Sequence, residues 1–149
     1  MAHINLPLDF KEFLQLLNEY QVKYMLIGGY AVAYHGYPRS TGDMDIWIAL
    51  NEHNADQLIK AIIAFGFSTS NLSRELFLKE NQIIRLGTPP LRIEIATGIS
   101  GVEFSDCYAM RVIGNFEDIK VSCISLEHLK ANKKAAGRFK DLNDLENLP

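Results

Sequence analysis

Residues 24–48 read YMLIGGYAVAYHGYPRSTGDMDIWI. The short apolar run from Lys23 to Ile27 predicts a buried strand. Gly28-Gly29 breaks it, Tyr30 to His35 reads as a short helix, and Gly36 ends that helix. The loop Tyr37-Pro38-Arg39-Ser40-Thr41-Gly42 leads into a second strand, Asp43 to Leu50. Along that strand Met44, Ile46 and Ile48 alternate with Asp43, Asp45 and Trp47, so one face is apolar and the other carries two carboxylates. Side chains at i and i+2 of a strand share a face, with roots roughly 6–7 Å apart. Carboxylates so placed can hold divalent cations, and a glycine turn opening a helix can offer backbone N–H groups to phosphate. Together they predict a site for a metal-bound nucleoside triphosphate.

The flanking sequence supplies the rest of a domain. Leu8 to Tyr20 predicts an amphipathic helix, with Phe10, Phe13, Leu14, Leu16 and Leu17 at helical spacing and Asp9 as cap or first-turn acid. Asn51 or Asn54 opens another helix, which runs to Phe65 and stops at Gly66. Gln82–Leu86 and Leu91–Ala96 predict strands around the turn Gly87-Thr88-Pro89-Pro90. Met110–Ile113 and Ile119–Ile124 predict a hairpin turning at Gly114-Asn115. Ser125 opens a helix that ends at Gly137, and Phe139–Leu148 is a terminal helical segment. Strands and helices mix without strict βαβ alternation, so an α+β (mixed α/β) domain is expected. The 149 residues show no repeat or linker and predict a single domain, 1–149.

A net charge of −3 gives no global basic footprint for nonspecific nucleic-acid binding. Hydrophobic residues at 48% and charged residues at 22% fit a globular protein with a real core. Cys107 and Cys123 lack metal-type spacing and are expected as free thiols in a reducing compartment. The N-terminal sequence has no signal pattern and no apolar run reaches membrane-spanning length, so a cytoplasmic protein with no membrane association is expected.

A third carboxylate completes the candidate site. Glu94, in Arg92-Ile93-Glu94-Ile95-Ala96, is an acid between apolar residues of a predicted strand, where a charge needs a reason to be. It would ligate metal and act as general base on an acceptor hydroxyl. Each feature alone has a plainer reading: a tight turn for Gly28-Gly29, solvent-facing strand positions for the three acids. Glu103 and Asp106 lie outside any such pattern. Arg39 and Thr41 precede the acids in the loop, suited to triphosphate or to pairing with Asp43 or a carbonyl. Lys133, Lys134, Arg138 and Lys140 form a basic cluster that suits phosphate contact or a solvated helix face; Asp141 and Asp144 would orient its basic groups. His35 is expected as a cap or packed ring, and Trp47 as core or rim packing.

Leu26-Ile27-Gly28-Gly29, Asp43-Met44-Asp45-Ile46 and Ile93-Glu94-Ile95, in that order and with thirteen residues between Gly29 and Asp43, resemble the signature of the DNA polymerase β-type nucleotidyltransferase superfamily. Within it the chain is similar to small bacterial AbiEii toxin-like members and to minimal antibiotic nucleotidyltransferases. The segment His35 to Asp43 resembles their Gly-x-x-Arg-x-Thr-x-Asp stretch, and Lys133 to Leu145 their C-terminal Lys…Gly-Arg-x-Lys-Asp-x-x-Asp element. One departure is the glutamate at 94, where the superfamily more often has aspartate.

The resemblance implies a twisted mixed sheet with helices mainly on one side. It implies Mg²⁺ or Mn²⁺ on Asp43, Asp45 and Glu94, and NTP phosphates at Gly28, Gly29, Arg39, Thr41, Lys133 and Lys140. It implies transfer of an NMP to a hydroxyl of RNA, a protein or a small hydroxylated molecule, releasing pyrophosphate. A cognate antitoxin and a homodimer are further partners it suggests. The rival expectation is a nucleotidyltransferase-fold binding or regulatory module that has lost turnover.

Overall fold

The computed structural model describes residues 4–67, 72–88 and 90–149. Its elements run α1 (Leu8–Glu19), β1 (Tyr24–Ile27), α2 (Gly28–Tyr34), β2 (Asp43–Ile48), α3 (Glu52–Phe65), a 3₁₀ turn (Arg74–Phe77), β3 (Ile83–Thr88), β4 (Leu91–Ala96), α4 (Phe104–Ala109), β5 (Val112–Phe116), β6 (Ile119–Cys123), α5 (Leu126–Ala136) and α6 (Phe139–Asn147). The strands form one mixed sheet in the order β3-β4-β2-β1-β6-β5. β2 runs antiparallel to β1 and parallel to β4, so the two acid-bearing strands are neighbours. β3–β4 and β5–β6 are antiparallel hairpins, and β6 joins β1 in parallel. This is the mixed α+β architecture expected from the sequence.

The period-2 pattern of β2 sets the layers. Met44, Ile46 and Ile48 are fully buried with Leu26, Ile93 and Ile95. α1 and α3 cover this apolar face: Phe13 meets Phe65 edge-on at 5.3 Å, and Phe10 and Phe65 border a hollow with Leu86 and Ile93 of the sheet. Buried Asn54 joins α3 to the strands, accepting from the Lys23 N–H at 2.7 Å and donating to the Lys23 and Ala49 carbonyls at 3.0 Å. Both polar atoms of the buried Asn54 amide thus find partners. α3 is capped by the Asn51 side chain and closes at Gly66. α5 is capped by Ser125 and closes at Gly137, so four sequence signals act as their chemistry dictates.

Three local expectations need correction. α2 begins at Gly28 rather than Tyr30, so the glycine pair forms its first turn instead of preceding it. The β5–β6 hairpin turns at Glu117-Asp118, both with positive φ (50° and 74°), not at Gly114-Asn115. Gly114 is instead a buried strand residue; a Cβ there would lie 2.7 Å from the Tyr34 ring, which stacks on Phe116 at 5.3 Å. The glycine makes room for an aromatic pair. Finally, Gly87 and Thr88 extend β3, while Pro89 of the expected turn lies outside the described residues.

α4 and the 3₁₀ turn had no counterpart in the sequence reading. α4 sets Phe104 edge-on against Trp47 at 5.1 Å, which buries the indole on the carboxylate side of the sheet. Cys107 and Cys123 are buried free thiols, and burial pushes Cys123 up to about 12. Among the described residues, no helix is long and apolar enough to cross a membrane.

Candidate active site

Strand register assembles the acids. β2 and β4 align Asp43 with Arg92 and Asp45 with Glu94, while β3 sets Arg85 opposite Glu94. Three carboxylates and two guanidiniums therefore share one sheet face. Arg92 Nη2 donates to Asp43 Oδ2 at 3.0 Å and lies 3.5 Å from Glu94 Oε1. Arg85 Nε lies 3.5 Å from Glu94 Oε2. The Asp45 carboxylate takes no hydrogen bond or ion pair from the described residues, and Lys140 and Lys133 act on it only through charge at longer range.

The glycine pair wraps tightly around this face. Gly28 adopts φ +68°, and a Cβ on it would fall 2.1 Å from Asp45 Oδ2. A Cβ on Gly29 would fall 2.8 Å from Thr41 Oγ1. Thr41 Oγ1 in turn donates to the Asp43 carbonyl at 3.1 Å. Only glycine at 28 lets the backbone turn through the left-handed region and pass beside a carboxylate.

The opposite wall comes from α5 and α6. Arg39 Nε and Nη2 donate to Asp144 Oδ1 and Oδ2 at 2.8 and 2.9 Å. Lys133 Nζ reaches Asp144 at 3.1 Å and Asp141 at 3.2 Å. Arg138 Nε donates to Asp141 Oδ2 at 2.7 Å, and the Arg138 N–H donates to the same oxygen. Asp141 and Asp144 are almost wholly buried, each held by two cationic side chains. Burial pushes Asp144 up, but the hydrogen bonds from Arg39 and Lys133 outweigh it and hold the carboxyl below its ordinary value. Asp141 behaves the same way under Arg138 and Lys133. The network ties the loop before β2 to both C-terminal helices.

Between these walls lies a cleft of about 460 Å³. Gly28, Gly29, Arg39, Thr41, Asp43, Asp45, Glu94, Lys133 and Lys140 all line it, whereas Lys134 of the basic cluster does not. Lys133 is buried, whereas Lys140 is exposed. Burial, then the charges of Glu94 and Asp43, push Asp45 up to about 6, although Lys140 and Lys133 pull it down. Carboxylates crowded this way are hard oxygen donors that a divalent cation suits. Among the described residues no three His, Cys, Asp or Glu side chains already stand in ligating geometry. Asp43 and Glu94 are turned to Arg92 instead. The donor set fits magnesium or manganese once that guanidinium yields.

Arg92, Arg85, Asn132 and the segment Gly98-Ile99-Ser100 also belong to the site or its rim, and sequence reading did not single them out. Arg92 had a usable signal: it stands two residues before Glu94 and so shares its face. His35 is a packed ring, its Nε2 2.7 Å from the Ile124 carbonyl.

The family model described as aminoglycoside-2''-adenylyltransferase matches residues 9–148. A Thermotoga maritima structure assigned as a nucleotidyltransferase superposes with a TM-score of 0.62 at 18% identity, over 92% of this chain and 88% of that one. The lincosamide antibiotic adenylyltransferase LnuA, solved with lincomycin bound, superposes with a TM-score of 0.57 at 17% identity, over 97% of both chains. No curated protein matches the sequence significantly. The family match spans nearly the whole chain and the two structures share its fold: this nucleotidyltransferase belongs to the aminoglycoside-2''-adenylyltransferase family.

Proposed function

We propose that the protein moves AMP from ATP to a hydroxyl group of a small polyhydroxylated molecule, dependent on a divalent metal ion held by Asp43, Asp45 and Glu94. The observation that carries this is the placement of those acids beside Gly28, facing Lys133 and Lys140 across one cleft. The family description supports adenylyl as the group transferred and a small molecule as acceptor, rather than RNA or a protein side chain. A toxin-type role with a cognate antitoxin forms no part of the proposal.

Bound magnesium or manganese would neutralise triphosphate charge and polarise the α-phosphorus. The chain's own groups do the rest. The first turn of α2 offers the Gly28 and Gly29 N–H groups to the terminal phosphates. Lys133 spends two of its three donors on Asp141 and Asp144 and keeps the third for phosphate. Arg39 similarly keeps one Nη free of Asp144. Lys140 supplies a mobile positive charge at the rim. The acceptor oxygen attacks the α-phosphorus, the bond to the α–β bridging oxygen breaks, and pyrophosphate leaves. Glu94 receives the hydroxyl proton. Positioning and charge neutralisation supply most of the rate.

The test is transfer from ATP labelled at the α-phosphate to a panel of aminoglycosides and lincosamides, with pyrophosphate measured in parallel. Labelled product with equimolar pyrophosphate, lost in Asp43→Asn and Asp45→Asn, is expected. Label passing only to RNA or protein, or to none of these acceptors, would overturn the proposal.

A further inference from the structure

We propose that Arg92 is a tethered counter-cation that holds Asp43 and Glu94 together in the metal-free protein and competes with the divalent ion for them. The inference rests on the metal-dependent reading of the site. Two arginines in this protein pair with carboxylates in contrasting ways. Arg39 grips Asp144 with two nitrogens at 2.8 and 2.9 Å, a forked pair on a carboxylate that is 1% exposed. That geometry is a fixed prop. Arg92 instead offers a single nitrogen to two acids, at 3.0 Å and 3.5 Å, with its side chain 29% exposed. Its Nε is buried with no hydrogen-bond partner. A guanidinium that leaves a buried donor unsatisfied is held by charge rather than by fit.

The reason for a charge at that spot is the register. Asp43, Asp45 and Glu94 stand at adjacent positions of two parallel strands and repel one another. Arg92 lies in register with Asp43, and Arg85 flanks Glu94 from β3. Three carboxylates thus face two guanidiniums, and Asp45 is left without a partner. The arginine keeps Asp43 and Glu94 oriented while no other cation is bound. A divalent ion must displace it, so the ion alone binds weakly, and the ion arriving with a triphosphate binds well. Arg92 is thereby a positioning residue that couples metal binding to nucleotide binding.

The test is calorimetric titration with Mn²⁺ in the absence of nucleotide, beside a titration with Mn²⁺ and a non-hydrolysable ATP analogue. Removing a neighbouring positive charge in Arg92→Gln should tighten Mn²⁺ alone by about tenfold or more. Arg92→Lys, which restores the charge, should stay near wild type. Arg85→Gln, a change at a half-exposed side chain that the fold should tolerate, should shift affinity the same way by about threefold. Unchanged or weaker Mn²⁺ binding in folded Arg92→Gln overturns the inference. Should that variant unfold, unchanged binding in Arg85→Gln overturns it. Wild type that binds no Mn²⁺ together with the analogue takes down the metal-dependent reading as well. Analogue binding intact with Mn²⁺ affinity unmoved by both variants removes this inference alone.

Discussion

Asp45 and Gly28 are so close that a methyl group on the glycine would lie 2.1 Å from the carboxylate oxygen. The strand that carries the acid and the glycine turn proposed to meet the phosphates are therefore fitted to each other at one atom. Gly28→Ala meets both this collision and a φ of +68°. It should cost about 2–4 kcal/mol of stability and abolish ATP binding. Gly66→Ala is the control: φ is +110° but nothing lies within 4 Å, so only backbone strain of about 1–2 kcal/mol is expected, with ATP affinity unchanged. Urea denaturation and calorimetry on both variants check this.

Asp45 should make the metal-free protein less stable as pH rises. Its carboxyl goes from an ordinary 3.8 to about 6 on folding, chiefly through burial and then through Glu94 and Asp43. Between those values the native state keeps a proton that the unfolded chain has released, so stability falls across that window and the full penalty persists above it. Asp45→Asn should therefore be more stable than wild type by about 2–3 kcal/mol at pH 8 without metal, and equal to it below about pH 4. Urea midpoints across pH 3–9 give the answer, and a variant no more stable than wild type at pH 8 would refute the assignment.

Asp144 anchors two cations in a buried setting, with Arg39 105 residues away and Lys133 on α5. Asp144→Ala leaves Arg39 without a carboxylate and Lys133 with Asp141 alone, and should cost about 3–5 kcal/mol. Because Asp144 is held below its ordinary value, its contribution is present at neutral pH and is lost as pH falls through the acid range. A double-mutant cycle with Arg39→Ala should give a coupling energy well above the ~1 kcal/mol ceiling of exposed pairs. A coupling near zero would contradict the network.

Gly114→Ala separates packing from turn formation. The added Cβ would press on the Tyr34 ring, so a loss of about 1–3 kcal/mol is expected with ATP affinity untouched. Stability left almost unchanged would contradict the packing role, since Gly114 lies inside β5 and not in a turn.

Much of the site was legible because strand periodicity is a local property. Alternation from Asp43 to Ile48 separates core from site, and the same pattern at Ile93-Glu94-Ile95 marks the third acid. Helix ends at Asn51, Gly66, Ser125 and Gly137 were legible for the same reason. The misplaced hairpin turn shows the limit. Gly-Asn is a stronger local turn signal than Glu-Asp, yet Tyr34, eighty positions earlier, decides that the glycine belongs in the strand. α4 has six residues with too little periodicity to announce itself. Arg39 was expected to meet triphosphate or Asp43, and its observed partner Asp144 could not be read from spacing. Arg92 stood in plain view beside Glu94, but its role depends on strand register, which one sequence does not reveal.

The most direct measurement is thermal or urea stability with a non-hydrolysable ATP analogue, with and without Mg²⁺, for wild type and the Asp43→Asn/Asp45→Asn pair. At about 100 times its dissociation constant the analogue should add about 2.7 kcal/mol to wild type in the presence of Mg²⁺. Little or no stabilisation is expected without Mg²⁺ or in the double variant. Equal stabilisation of wild type and variant, or none with any NTP analogue, would contradict a metal-bound triphosphate site built on Asp43, Asp45 and Glu94.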